Sequence, residues 1–152
     1  MKVREAMSPD VETARPNQAV KGVAQRMYRQ GIGYFPVVDK GRLVGIITDR
    51  DITCRVVADE RDPATTRVRD VMSRSVAYCF ADDDLSVATH LMEQNRIRRI
   101  PVLDHKEHLV GILSLTDVLQ RAPHRLTAEL LEAVSRDSPL SVTINPTAEI
   151  LK

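Results

Sequence analysis

Apolar positions along the chain follow two periods, and each period occurs twice. Val20, Val23, Ala24 and Met27 stand at i, i+3, i+4 and i+7, which predicts a helix with one apolar stripe. Asn17, just after Pro16, is placed to cap its start, and Gly31 and Gly33 to end it. Two short apolar runs follow, Tyr34 to Val38 and Leu43 to Thr48. Only Asp39-Lys40-Gly41-Arg42 separates them, so they predict a β-hairpin. Further along, Leu85, Ala88, Leu91 and Met92 form a second stripe behind Asp82-Asp83-Asp84. A second pair of strands is expected at Ile100 to Leu103 and Leu109 to Ser114. Short extended segments precede the helices, at Val11 to Ala14 and Val76 to Phe80, and a second helix begins at Thr48 and again at Ser114.

The residues repeat along with the pattern. Val3-Arg4-Glu5-Ala6-Met7-Ser8 returns as Val68-Arg69-Asp70-Val71-Met72-Ser73, 65 residues later. Ile32-Gly33-Tyr34-Phe35-Pro36-Val37-Val38-Asp39 returns as Ile97-Arg98-Arg99-Ile100-Pro101-Val102-Leu103-Asp104. After one inserted residue, Leu43-Val44-Gly45-Ile46 returns as Leu109-Val110-Gly111-Ile112. The chain is therefore an internal duplication of one β-α-β-β-α unit. The expected division is repeat one over 1–60, a linker over 61–67, repeat two over 68–122 and an extension over 123–152. A unit of about 60 residues buries a thin core and is marginal alone. The two are expected to pack as a pseudo-twofold pair of mixed α/β (α+β) class, with a cleft on the axis.

Composition narrows the function classes. With 22 Lys+Arg against 21 Asp+Glu, the charge excess a general nucleic-acid binder needs is missing. Three Tyr, two Phe and no Trp are too few for a base-stacking surface. Seventeen of the cations are Arg, so local phosphate or carboxylate sites stay open. Nothing approaches the length of a membrane span or a signal-peptide core. Cys54 and Cys79 have no metal-ligand spacing, and two free thiols fit a cytoplasmic setting.

Few residues carry candidate chemistry. Thr48-x-x-Asp51 and Ser114-x-x-Asp117 each follow a strand and open a helix. They read as N-caps, and equally as a nucleotide site, since a helix start offers N–H groups to phosphate and an Asp accepts from a ribose diol. One hydroxyl can do both. His105-x-x-His108 lies in a hairpin turn without a partner Cys or acid pair and reads as surface. Asp82-Asp83-Asp84 reads as a charge match to a helix start. No nucleophile–base set is supported, so no enzyme is expected.

The duplicated Val-Arg-x-x-Met-Ser, the Pro-Val-x-Asp strand and Gly-Ile-x-Thr/Ser-x-x-Asp resemble a tandem pair of cystathionine-β-synthase (CBS) domains over roughly residues 1–122. The resemblance is to the small stand-alone bacterial and archaeal proteins of this type. It implies a regulatory module without catalysis of its own. It implies an adenosine-containing ligand such as AMP, ATP, NAD or S-adenosylmethionine, and no metal is expected. It also implies a homodimer. With no effector domain in the sequence, a regulated protein is expected in trans, and the charge balance and the lack of an apolar span leave no nucleic-acid or membrane partner expected. Carried over residue by residue, it points to Asp51 and Asp117 for the ribose and Thr48 and Ser114 near ribose or phosphate. It pairs Asp51 with Arg98 and Arg99, and Asp117 with Gly33 and Tyr34. Thr13 and Tyr78 would line the base pockets. Tyr78-Cys79-Phe80 departs from the family's small polar residue and is bulky enough to fill a pocket. That departure supports the alternative, a ligand-free structural or interaction dimer. In the extension, Leu126, Leu130, Leu131 and Val134 predict a short amphipathic helix, and a loose tail follows, with a possible strand at Leu140 to Ile144.

Overall fold

The computed structural model describes residues 1–122 together with Thr127, Ala128, Leu131, Glu132 and Ser135. In chain order the elements are α1 (Val3–Ala6), α2 (Val20–Gln30), β1 (Tyr34–Asp39), β2 (Arg42–Thr48), α3 (Asp49–Ile52), α4 (Val68–Val71), β3 (Cys79–Phe80), α5 (Leu85–Asn95), β4 (Arg99–Leu103), β5 (Leu109–Ser114) and α6 (Leu115–Arg121). A π-helical turn, Thr53–Val57, continues α3. This is the expected mixed α/β duplication, with one added helical turn, α1 or α4, at the head of each repeat. Of the expected C-terminal stripe, Leu131 is described and helical. Leu126, Leu130, Val134 and the segment 140–144 lie outside the described residues.

The hairpins form where the turn chemistry allows. Lys40 and Gly41 both have positive φ, 50° and 82°, as a two-residue hairpin turn requires. The register pairs Tyr34 with Thr48 and Pro36 with Ile46. In repeat two the extra residue lengthens the loop, and Asp104 closes it by accepting from the backbone N–H groups of His108 and Lys106. Those donors, His108 first, hold the Asp104 carboxyl below its ordinary range.

The leading strands are shorter than expected. Val11 to Ala14 contributes only the bridge of Ala14 to Val37, and Val76 to Phe80 only Cys79 and Phe80, parallel to β4. The residues before them diverge from the sheets and form cleft walls.

Helix starts also differ from expectation. Ala19, not Asn17, is the N-cap of α2, and no side chain caps it. Its free N–H groups are met by the linker instead: Val20 donates to the Thr66 carbonyl and Lys21 to that of Pro63, both at 2.9 Å. Asn17 accepts from Arg69. At α5, Leu85 donates to the Met1 carbonyl. The three acids before α5 pair individually, Asp84 with Lys2 and Asp82 with Arg4 and His105, while Asp83 accepts from the Phe80 N–H.

The packing units do not follow chain order. Val68, Val71 and Met72 complete the core built by α2, β1 and β2 around Phe35 and Ile47. Val3 and Ala6 complete the other, around Leu85, Ile100 and Leu113. Each repeat therefore lends its opening turn to its partner. Ser8 bridges Ile112 and Ser73 bridges Ile46, so the exchange is pseudo-twofold. Two glycines make room for it. A Cβ on Gly45 would lie 2.8 Å from the Met72 sulfur, and one on Gly111 2.5 Å from that of Met7.

The two thiols should behave differently. Cys79 is buried in the second core, and burial, then the nearby Asp83 charge, pushes its pKa up to about 12. Cys54 is exposed. A thiol-reactive chromogenic disulfide at pH 7.5 is expected to titrate one cysteine per folded chain and two in urea. Two fast thiols in the folded protein would contradict this packing.

Candidate functional site

The site grows from the two helix starts that follow the hairpins. Thr48 ends β2 in extended conformation and caps α3: its Oγ1 accepts from the Asp51 N–H at 3.1 Å. Asp51 Oδ2 accepts in return from the Thr48 N–H and hydroxyl, at 2.9 and 3.0 Å. Ser114 and Asp117 repeat the arrangement at α6, with Ser114 Oγ donating to Asp117 Oδ2 at 2.5 Å. The capping reading is thus realised at both, and Asp serves as the reciprocal acceptor that Glu or Gln more often supplies.

A second hydroxyl reaches each acid from the exchanged turn of the other repeat. Ser73 donates to Asp51 Oδ1 and Ser8 to Asp117 Oδ1, both at 3.3 Å. The duplicated Met-Ser was visible in the sequence, but its crossing to the opposite acid was not. Asp51 is further held by Arg55 one helical turn on, at 3.3 Å, and is 8% exposed.

Two cavities open beside these caps. The first, about 340 Å³, is lined by Tyr34, Ile46, Thr48, Ser75, Val76, Ala77, Asn95, Ile97, Arg98 and Arg99. The second, about 250 Å³, is lined by Ser8, Asp10, Val11, Glu12, Ile32, Tyr34, Arg99, Ile112, Ser114 and Asp117. Each combines the hydroxyl cap of one repeat with the segment before the proline strand of the other. Thr48 meets Arg98 and Arg99; Ser114 and Asp117 meet Tyr34.

Four expected site residues do not stand on these walls. Asp51 lies behind Thr48, its carboxylate occupied by Thr48, Ser73 and Arg55. Gly33 sits between the wall residues Ile32 and Tyr34, and a Cβ there would meet the exposed Asp49 carboxylate at 2.5 Å. Thr13 gives its carbonyl to Arg26, and Val11 and Glu12 form the wall in its place. Tyr78 packs edge-on against Phe80, which stacks on His105, and it lines a third cavity with Arg42 and Arg74. Val76 and Ala77 take its expected place. In both repeats the cavity lining thus comes one or two residues before the expected positions, because alternation alone does not say where a strand leaves its sheet. It follows that Tyr78 and Phe80 fill neither cleft.

Tyr34 and Arg99 occupy equivalent positions in the two repeats and line both cavities. The Tyr34 hydroxyl is buried without a hydrogen-bond partner among the described residues. Burial pushes its pKa above the ordinary phenol value, against the pull of the Arg99 charge. Such a hydroxyl is an open position for a ligand or water.

Among the described residues no three His, Cys, Asp or Glu come together as a metal-ligand set, and no helix is long and apolar enough to cross a membrane.

The chain is similar to CBS domain-containing protein YhcV of Bacillus subtilis, 40% identical over 116 residues, 76% of this chain and 81% of that one. The crystal structure of Hypoxic Response Protein I with two coordinated zinc ions matches with a TM-score of 0.74 at 29% identity, over 81% of this chain and 100% of that one. The CBS domain pair of protein MJ0100, solved with 5′-methylthioadenosine and S-adenosyl-L-methionine, matches with a TM-score of 0.68 at 27% identity, over 79% of this chain and 98% of that one. These findings correct one expectation, that of AMP, ATP or NAD as cofactor and no metal. A neighbour of this fold coordinates zinc, and the ligands in the MJ0100 pair are a thioether and a sulfonium, not nucleotides. The physical reason is that a fold does not by itself fix the ligand it carries. The family model for the CBS domain matches residues 3–58 and again 68–124, and the chain belongs to that family as a tandem pair.

Proposed function

We propose that this chain is a regulatory module that binds an adenosine-bearing small molecule in the clefts between its repeats. In this reading it acts in trans on a partner protein, as a homodimer, with no catalysis of its own. The observation that carries the reading is the twice-built junction of a hydroxyl cap with a polar cavity. Thr48 stands beside Arg98 and Arg99 in one, and Ser114 and Asp117 beside Tyr34 in the other. Hydroxyls and a carboxylate suit a ribose, guanidinium groups suit an anion, and Ile46, Ile97 or Ile32, Ile112 offer apolar walls to a base. The adenosyl ligands of the MJ0100 pair support the choice of class. Two free thiols suit a reducing, cytoplasmic setting. Against the ligand-free alternative, Tyr78 packs edge-on against Phe80, which stacks on His105, so neither ring fills the clefts.

The test is a thermal-shift and calorimetric screen of the full chain against adenosine, 5′-methylthioadenosine, S-adenosylmethionine and adenosine 5′-phosphates, with guanosine as control. A ligand at 100 times its Kd stabilises by about 2.7 kcal/mol, a Tm rise of about 5–10 °C for a chain of this size. The response is expected to fall in Ser114→Ala or Thr48→Val, whichever cleft the ligand uses. A folded chain that responds to no adenosyl compound would overturn the reading.

A further inference from the structure

The third cavity, of about 310 Å³, opens where the two hairpins meet, beside the bridge of Arg42 to His108. Among the described residues it shares Val76 alone with the first cleft and none with the second. Its apolar lining is Leu43 and Val44 from β2, Val76, and Leu103 at the end of β4. Its polar lining is Arg42, Arg74, Glu107 and Tyr78, the ring that neither cleft uses. Arg42 pairs with Glu107 at 3.1 Å from one hairpin to the other, and Arg74 Nη2 donates to the Arg69 carbonyl at 3.3 Å. The duplication separates what the fold needs from what this pocket adds. The apolar positions are apolar in both copies: Leu43 matches Leu109, Val44 matches Val110, Val76 matches Val11 and Leu103 matches Val38. The polar positions are not kept. Arg42, Arg74, Tyr78 and Glu107 match His108, Pro9, Thr13 and Gly41. A side chain that the fold required would recur in both copies, so these four are an addition to one of them.

We infer that this cavity is a separate binding site for a small monocarboxylate with an apolar body. Among the described lining residues two guanidinium groups stand against one carboxylate, which leaves one positive charge for a ligand. A carboxylate matches the guanidinium fork with two parallel N–H···O bonds. A phosphate dianion fits less well, since its second charge meets Glu107. The Arg42–Glu107 pair is exposed at both partners, so an incoming carboxylate competes with a screened contact and breaks no buried one. The aliphatic lining and the half-exposed Tyr78 ring, packed edge-on against Phe80, receive the apolar body. The volume lies at the small end of ligand pockets, about 300–1,000 Å³, and suits a fragment-sized acid. The site stands independently of the adenosyl reading.

Phenylacetate is the probe, and its neutral isostere phenylacetamide the control. Each is titrated into the isotope-labelled full chain and followed by backbone amide chemical shifts. Phenylacetate is expected to bind with a Kd of about 1 mM or tighter. It should move the amides of Val44, Val76 and Leu103 and leave those of Thr48 and Ser114 in place. Phenylacetamide should bind about tenfold more weakly or worse. Two variants remove the polar lining at exposed positions: Arg74→Ala, and Tyr78→Thr, which carries the residue of the other copy. Arg74→Ala should weaken phenylacetate about tenfold and Tyr78→Thr a few-fold, with the rest of the spectrum unchanged. An acid that leaves all these amides unmoved, or an acid and amide that bind alike, would overturn the assignment. So would a phenylacetate response lost in Thr48→Val and kept in Arg74→Ala, since the acid would then sit in the first cleft. The adenosyl screen is read at Thr48 and Ser114, so failure of either reading is distinguishable from failure of the other.

Discussion

Deleting residues 1–7 is expected to unfold the second repeat ahead of the first. The segment belongs to repeat one in sequence, but Val3 and Ala6 are fully buried in the core of repeat two. Losing the Val3 side chain removes about 1.5–3 kcal/mol of apolar burial. The deletion also takes away the Val3–Asp83 and Arg4–Ala81 backbone bonds, both 3.0 Å, and strips the α5 start of the Met1 carbonyl that Leu85 donates to. Each such bond contributes about 0.5–1.5 kcal/mol. Arg121 loses the Ala6 and Met7 carbonyls it holds at 2.6 and 3.3 Å. Together these approach the roughly 5–15 kcal/mol that stabilises an ordinary domain. Hydrogen exchange read by mass spectrometry should show protection lost first over residues 79–118, with β1 and β2 still protected. Loss confined to repeat one, or uniform loss, would mean that the exchange of turns is not what stabilises the second core.

Phe35→Ala should have the largest effect of any single substitution. Phe35 is fully buried and among the largest side chains of the first core. Truncating such a ring costs about 3–5 kcal/mol, which for a chain of this length lowers Tm by about 10 °C or more. The consequence extends to the site. The Arg26 guanidinium stacks over the Phe35 ring at 4.7 Å, donates to the Thr13 carbonyl and pairs with Glu12 on the wall of the second cleft. Without the ring, Arg26 loses the surface that orients it. Ligand binding in the second cleft should therefore weaken more than in the first. Calorimetric unfolding of this variant and calorimetric titration of an adenosyl ligand into it measure both effects. A Tm change below about 3 °C would contradict the packing of the first core.

How much of this was legible from residues alone differs between elements. The hairpins and the long helices were, because period-2 and period-3.6 apolar patterns are local signals that Phe35, Val37, Val20, Val23 and Met27 carry openly. The caps were as well: Thr48 and Ser114 stand immediately before their helices with Asp51 and Asp117 three residues on, and the geometry follows from that spacing. Asn17 misled, because a good capping residue lost to backbone carbonyls of the linker more than 40 residues away, a contact that no local pattern announces. Thr13 and Tyr78 misled for a related reason, since strand alternation says nothing about where β pairing stops.

By itself the sequence determined the duplication, the mixed α/β unit, the two hydroxyl–acid helix starts and the family. All of these are properties of neighbouring residues or of one repeat set beside the other. The tertiary structure alone decided that the opening turns change places, and that Ser8 and Ser73 reach the acids across the pseudo-twofold. It also decided that Asp51 is enclosed by Arg55 and Ser73, and that Asp10 and Glu12 face one cleft while Arg98 faces the other. Apart from the Arg55 pair, which is four residues along the same helix, these depend on contacts between residues 22 to more than 100 positions apart. Such contacts form because a thin core cannot close on its own repeat and is completed by its partner.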